Sequence, residues 1–172
     1  MSLRIGHGYD IHAFSTDPER PLVLGGVIFP DEIGLHGHSD ADAIAHACTD
    51  AILSPCGLGD IGQLFPDTDA AHAGADSIVL LTEAMRLVTE LGATVVNIDV
   101  TVVAERPKIA PRKEEMQQRL SEVVGAPVTI KGKRAEGLGA LGRREGIACY
   151  AIALVDLHPQ SAERSAAIED AS

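Results

Sequence analysis

An α+β fold, a two-layer sandwich with helices packed on one side of a mixed β-sheet, is what the order of patterns in this sequence predicts. Three observations carry it. Residues 94–103 alternate Val96, Ile98, Val100 and Val102 with Asn97, Asp99 and Thr101, the period-two pattern of a strand. Residues 77–91 place Ile78, Leu81, Met85 and Val88 at helical spacing. Aromatic residues make up only 3% of the chain and Trp is absent, so the core must be filled by Ala, Val, Ile and Leu, which favours closely packed helices and sheet.

In chain order, Leu3 to Ile11 reads as a first strand, and the prolines of residues 17–21 mark a turn. Leu22 to Leu24 and Val27 to Phe29, separated by Gly25-Gly26, read as a short hairpin or a bulged strand. Ser39 is the expected cap of a helix running to about Leu53, with Asp42 three residues on completing an approximate capping box. The free amides at that helix start would favour an anion. Residues 57–69, rich in glycine and acid, suit a polar binding loop. The helix of residues 77–91 ends at Gly92, the strand of residues 94–103 follows, and a helix carrying Met116, Leu120 and Val123 ends at Gly125. Val128 to Lys131 is a short strand, and Gly146 to Leu157 is an apolar one expected to be buried on both faces. One domain over residues 1–157 and a flexible tail over 158–172 complete the expected organisation.

Composition removes several function classes. Fourteen basic against 25 acidic residues give a net charge of −11, which repels nucleic acid, although a metal and a few gathered cations could still accept a small phosphorylated substrate. Cys48, Cys56 and Cys149 form no C-x-x-C pair and, being odd in number, no disulfide framework. No stretch approaches the roughly 20 apolar residues of a membrane span, and no positively charged leader is visible, so a soluble cytoplasmic protein is expected.

The chemistry gathers in two stretches, residues 6–12 and 37–46. On an extended strand Asp10 and His12 point to the same side, and His46, about two turns into the following helix, can project toward them. One carboxylate and two imidazoles suit zinc and leave a fourth position open for a substrate atom. The competing reading is a hydrogen-bonded structural histidine. Ser39 could cap the helix or, with His38, contact a phosphate; Asp42 and Asp50, four residues either side of His46, could orient its ring or be solvated. Residues 131–144 gather Lys131, Lys133, Arg134, Arg143 and Arg144 among glycines, as an anion-facing loop or a solvated hairpin.

Taken together, residues 4–12, His38-Ser39-Asp40-Ala41-Asp42 with His46, Gly59-Asp60-Ile61-Gly62, residues 65–69, Arg106-Pro107-Lys108, Glu136-Gly137-Leu138-Gly139 and Glu145-Gly146 resemble the 2-C-methyl-D-erythritol 2,4-cyclodiphosphate synthase family of the non-mevalonate isoprenoid pathway. The resemblance implies a homotrimer with sites between subunits. It implies zinc on Asp10, His12 and His46, phosphate contacts from His38, Ser39, Lys133 and Arg134, and a methylerythritol site at Asp60, Gly62, Phe65, Asp67 and Asp69. From the adjacent subunit, Ala104, Lys108, Ile109, Ala110 and Gly132 would line the cytidine end, and Glu136 would hold a second divalent ion, Mg²⁺ or Mn²⁺. The implied activity is that of a phosphorus–oxygen lyase: 4-diphosphocytidyl-2-C-methyl-D-erythritol 2-phosphate closes to the cyclic diphosphate and releases CMP. The chain departs from the family pattern at Lys133, Arg134 and Ala135, where many members carry threonines, and at Arg144 within Gly142-Arg143-Arg144-Glu145-Gly146. There Arg134 is expected to replace hydroxyl donors by charge. A zinc-dependent phosphoester hydrolase and a non-catalytic metal or phosphate binder are the competing functions, the first weakened by the absence of an H-E-x-x-H helix.

Overall fold

The structure, a computed structural model, describes residues 2–66, 68 and 74–157. Asp67, Asp69 and the expected tail lie outside the described residues. Four strands, β1 (Leu3–Ala13), β4 (Ala93–Val103), β5 (Val128–Lys133) and β6 (Gly146–Leu157), form one sheet in the order β1-β6-β4-β5. Only the β4–β5 pair is parallel, so the sheet is mixed as expected. β2 (Leu22–Leu24) and β3 (Val27–Phe29) make a separate hairpin. Gly25 and Gly26 both have positive φ, 58° and 70°, the backbone that a two-residue hairpin turn of matching twist requires.

The helices are α1 (Ala43–Leu53), α2 (Ile61–Leu64), α3 (Ser77–Glu90), α4 (Lys113–Val124) and α5 (Gly139–Gly142). α1 packs on β1 and β6, α4 on β5, and α3 lies against both helices and β4, so one face of the sheet is covered. Ile98, Val100, Val102, Ile147, Ala151 and Val155 form the sheet side of this core. α1 is buried almost all round, which explains why its sequence shows apolar residues on every side.

Three expectations change. The helix cap is Asp42, not Ser39: the Asp42 carboxylate accepts hydrogen bonds from the Ile44 and Ala45 amides. It also accepts from the hairpin amides of Gly25 and Gly26, at 2.8 and 2.6 Å, so the amides expected to favour an external anion face an internal one. Second, a bulge between Val95 and Asn97 shifts the phase of β4, so Val95 turns inward and Val96 outward. Third, β6 is covered on one face only, with Tyr150 41% and Ile152 44% exposed. Beside them on β1, Tyr9 is 43% and Ile5 74% exposed, which leaves an apolar strip along the open face.

Two glycines set how closely α1 approaches β1. A Cβ on Gly6 would lie 1.9 Å from the Ala51 carbonyl oxygen, and one on Gly8 would lie 1.9 Å from that of Ala47. Only residues without side chains fit there. The alternation that points Gly6 and Gly8 at the helix carries Asp10 and His12 to the same face, and His46 precedes Ala47 on α1.

Candidate metal centre

Asp10, His12 and His46 meet. His12 Nε2 lies 3.0 Å and His46 Nδ1 3.1 Å from Asp10 Oδ2, and the two ring nitrogens are 3.4 Å apart. Four-coordinate zinc with bonds of about 2.0–2.1 Å places neighbouring donors about 3.3 Å apart, so the three atoms present the right mixture at the right separation. Among the described residues they are the one such cluster of three.

Each ring is held from behind. His12 Nδ1 donates to the His36 carbonyl at 2.7 Å, which leaves Nε2 facing the cluster. Gly37 permits this approach, since a Cβ there would stand 3.0 Å from His12 Cε1. His46 Nε2 lies 2.8 Å from Ser77 Oγ and 3.1 Å from Ser39 Oγ, so its Nδ1 faces Asp10. Burial alone would raise the Asp10 carboxyl, but the hydrogen bonds and charge of His12 and His46 overcome it and hold it well below the usual carboxylate range. Burial likewise works to lower His12, and its contact with Asp10 wins, raising it.

A pocket of about 640 Å³ opens beside the cluster, lined by His12, His38, Ser39, His46, Gly62 and Phe65 among others. His38 is exposed at its rim, whereas the Ser39 hydroxyl is buried and engaged with His46 and the Ala41 amide. Asp60 caps α2 by accepting from the Gln63 amide, and that short helix brings Gly62 and Phe65 to the pocket. The expected supporting role of Asp42 and Asp50 finds no direct bond to the His46 ring: Asp42 is spent on four amides, and Asp50 accepts from the Ile61 amide at 2.8 Å. Burial raises both carboxyls. Of the two hydroxyls behind His46, Ser39 was singled out from the sequence but Ser77 was not, since it reads there only as a helix start; nor was Asp40, which holds Ser77.

The remaining predicted residues gather elsewhere. Ala104, Ile109 and Gly132 meet at the C-terminal ends of β4 and β5, where the Ala104 amide donates to the Lys133 carbonyl and Ile109 packs on Gly132. Lys108 borders a separate groove with Pro107 and Phe29, and Ala110 starts the turn leading into α4. Lys133 ends β5, and Glu136, exposed with φ 52°, stands in the connection that follows it. Arg134 does not reach out as a free cation: its Nε and Nη2 donate to Glu105 Oε2 at 3.0 and 2.7 Å. β1 and β5 are opposite edges of the sheet, three strand spacings or roughly 14 Å apart, but their C-terminal ends lie at the same end of it. Cys48, Cys56 and Cys149 are buried and none is in a disulfide; burial pushes the Cys56 thiol up to about 11.

Fold and cluster together define the class of protein: an α+β domain with an Asp-His-His set fit for a metal ion at the mouth of a pocket. A sequence model of the YgbB family matches residues 3–156, and the chain belongs to that family. It is 54% identical, over 90% of its length and 94% of the relative's, to 2-C-methyl-D-erythritol 2,4-cyclodiphosphate synthase of Aromatoleum aromaticum. Among solved structures it resembles the bifunctional IspDF of Campylobacter jejuni with a TM-score of 0.86 and 38% identity, covering 93% of this chain and 44% of that longer one. A structure of 2C-methyl-D-erythritol-2,4-cyclodiphosphate synthase in its CDP-bound form matches with a TM-score of 0.80 and 41% identity, over 89% of this chain and 100% of that one.

Proposed function

We propose that the protein is a zinc-dependent 2-C-methyl-D-erythritol 2,4-cyclodiphosphate synthase, a lyase of one domain over residues 1–157, acting as a homotrimer in the cytoplasm. The observation that carries the reading is the convergence of Asp10, His12 and His46 at a pocket mouth in a chain so close to named synthases over nearly its whole length. Two imidazoles with one carboxylate favour zinc over magnesium or calcium, which take oxygen ligands. The buried cysteines, none of them in a disulfide, fit a reducing compartment. The trimer is supported by the apolar strip on the open sheet face and by the placement of the predicted residues on opposite edges, where a neighbouring copy could join the two halves of a site.

The substrate brings its own nucleophile. An oxygen of its 2-phosphate attacks the β-phosphorus, the bond from that phosphorus to the bridging oxygen breaks, and CMP leaves with the electron pair. A zinc ion on the triad supplies Lewis-acid polarisation of a phosphate oxygen. The protein's own work is placement. His38 and Ser39 face the phosphates, while Gly62 and Phe65, with Asp60 at the start of their helix, shape the methylerythritol end. Ala104, Lys108, Ile109, Ala110 and Gly132 of a neighbouring copy receive the cytidine, with Lys133 at the diphosphate. Glu136 would hold Mg²⁺ or Mn²⁺, an ion that typically keeps few protein ligands, which would offset negative charge. Arg134, already paired with Glu105, acts by holding that connection in shape.

The test is turnover and metal analysis on one sample. Wild-type protein loaded with zinc is expected to release CMP and cyclic product in equal amounts, and His46→Ala to lose both the ion and at least 100-fold in turnover. A ring-opened phosphate product would establish the hydrolase instead, and binding without turnover would leave a binding protein.

A further inference from the structure

Behind His46, on the side away from Asp10 and His12, the structure holds a second polar chain whose directions can be read atom by atom. Asp40, as a carboxylate, can only accept. Its Oδ2 takes the Ser77 amide at 3.1 Å, and its Oδ1 takes the Ser77 hydroxyl at 2.5 Å. The Ser77 proton is thereby committed to Asp40, so Ser77 Oγ can meet His46 Nε2, 2.8 Å away, only as an acceptor. His46 therefore donates Nε2–H to Ser77, which leaves Nδ1, turned toward Asp10 Oδ2 at 3.1 Å, as the nitrogen that a metal ion would take. Ser77 is 1% exposed, which removes competing water, and it stands at the first position of α3, where the Asp76 cap and the Asp40 contact fix its backbone.

We propose that Ser77, held by Asp40, is a positioning residue that locks His46 in the tautomer and ring orientation needed to bind a metal ion through Nδ1. The inference rests on the metal site proposed above and extends it to two residues on other elements, 31 and 6 positions away in sequence from His46. It also gives the start of α3 a role: the helix that packs on α1 anchors the acceptor for a ligand carried by α1. Carboxylate-backed partners of this kind fix the tautomer of ligating histidines, and their loss typically weakens metal affinity by roughly 10- to 100-fold.

The test measures zinc affinity by competition with a chromophoric chelator and records the visible spectrum of the cobalt(II)-loaded protein, for wild type, Ser77→Ala, Ser77→Thr and Ser39→Ala. Ser77→Ala keeps the backbone bond to Asp40, and a thermal melt of each metal-free variant establishes that it is folded. Zinc affinity is expected to fall roughly 10- to 100-fold in Ser77→Ala with an altered cobalt spectrum, to recover in Ser77→Thr, and to change less in Ser39→Ala. Wild-type affinity and spectrum in Ser77→Ala, or a larger loss in Ser39→Ala, would overturn the proposal while leaving the metal site intact. A wild-type protein that takes up no zinc at the triad, shown by unchanged uptake in His46→Ala, would overturn both.

Discussion

At the scale of single residues, the Asp10–His12 contact makes the metal-free protein respond to pH in a direction that can be worked out. His12 is raised above its ordinary value of 6.5. Its contribution to stability is therefore complete below pH 6.5 and disappears as pH rises through the raised value. Asp10 is lowered from 3.8, so its contribution is present above that pH and is lost as pH falls through the lowered value. Between the two the pair is fully formed. Thermal melts in chelator should thus show the gap between wild type and His12→Gln widest near pH 5.5 and narrower at pH 8.5. Zinc requires the imidazoles unprotonated, so its stabilisation of wild type should grow over the same interval. A chelator-treated gap that widens toward pH 8.5 would contradict the assigned directions.

At the scale of elements, the centre depends on how closely a helix lies on a strand. In Gly8→Ala the added Cβ would meet backbone rather than a movable side chain, so α1 must shift outward or β1 must distort. The expected cost is about 1–3 kcal/mol, a fall in melting temperature of roughly 2–4 °C for each kcal/mol. Because the shift separates His46 from Asp10 and His12, zinc affinity should fall at least tenfold as well; an unchanged affinity would mean the glycine is not what sets their spacing. The ligands themselves were legible because period-two and helical spacing place side chains by simple counting, and β2 and β3 fell where Gly25-Gly26 separates them. The cap was misplaced because Ser39, Asp40 and Asp42 are all capping residue types. What selected Asp42 was a second pair of amides, from Gly25 and Gly26, that reach it only once the hairpin has packed. The same holds for Ser77, whose partner is 31 residues away, and for the bulge at Val96, which no alternation of Val and polar residues announces.

At the scale of the whole molecule, two features of one sheet converge on assembly. The open face carries Ile5, Tyr9, Tyr150 and Ile152 side by side on paired strands, with the Tyr9 and Tyr150 rings 4.9 Å apart. An apolar strip of this kind is stabilised when a further copy removes it from water. The strand order meanwhile puts Asp10 and His12 on one edge and Gly132 with Lys133 on the other, too far apart within one chain to hold both ends of one diphosphate. A double variant Tyr150→Glu, Ile152→Lys places unpaired charges in that strip; on the proposed assembly, wild type is expected to sediment as a trimer and the variant as a monomer. Since Asp10, His12 and His46 all belong to one chain, the monomer should still bind zinc with affinity close to wild type. Turnover should nevertheless fall by at least 100-fold, because the residues proposed to receive the cytidine would no longer stand opposite the ion. A monomer with undiminished turnover would show that one chain completes the site, and a variant that stayed trimeric would show that the strip is not the assembling surface.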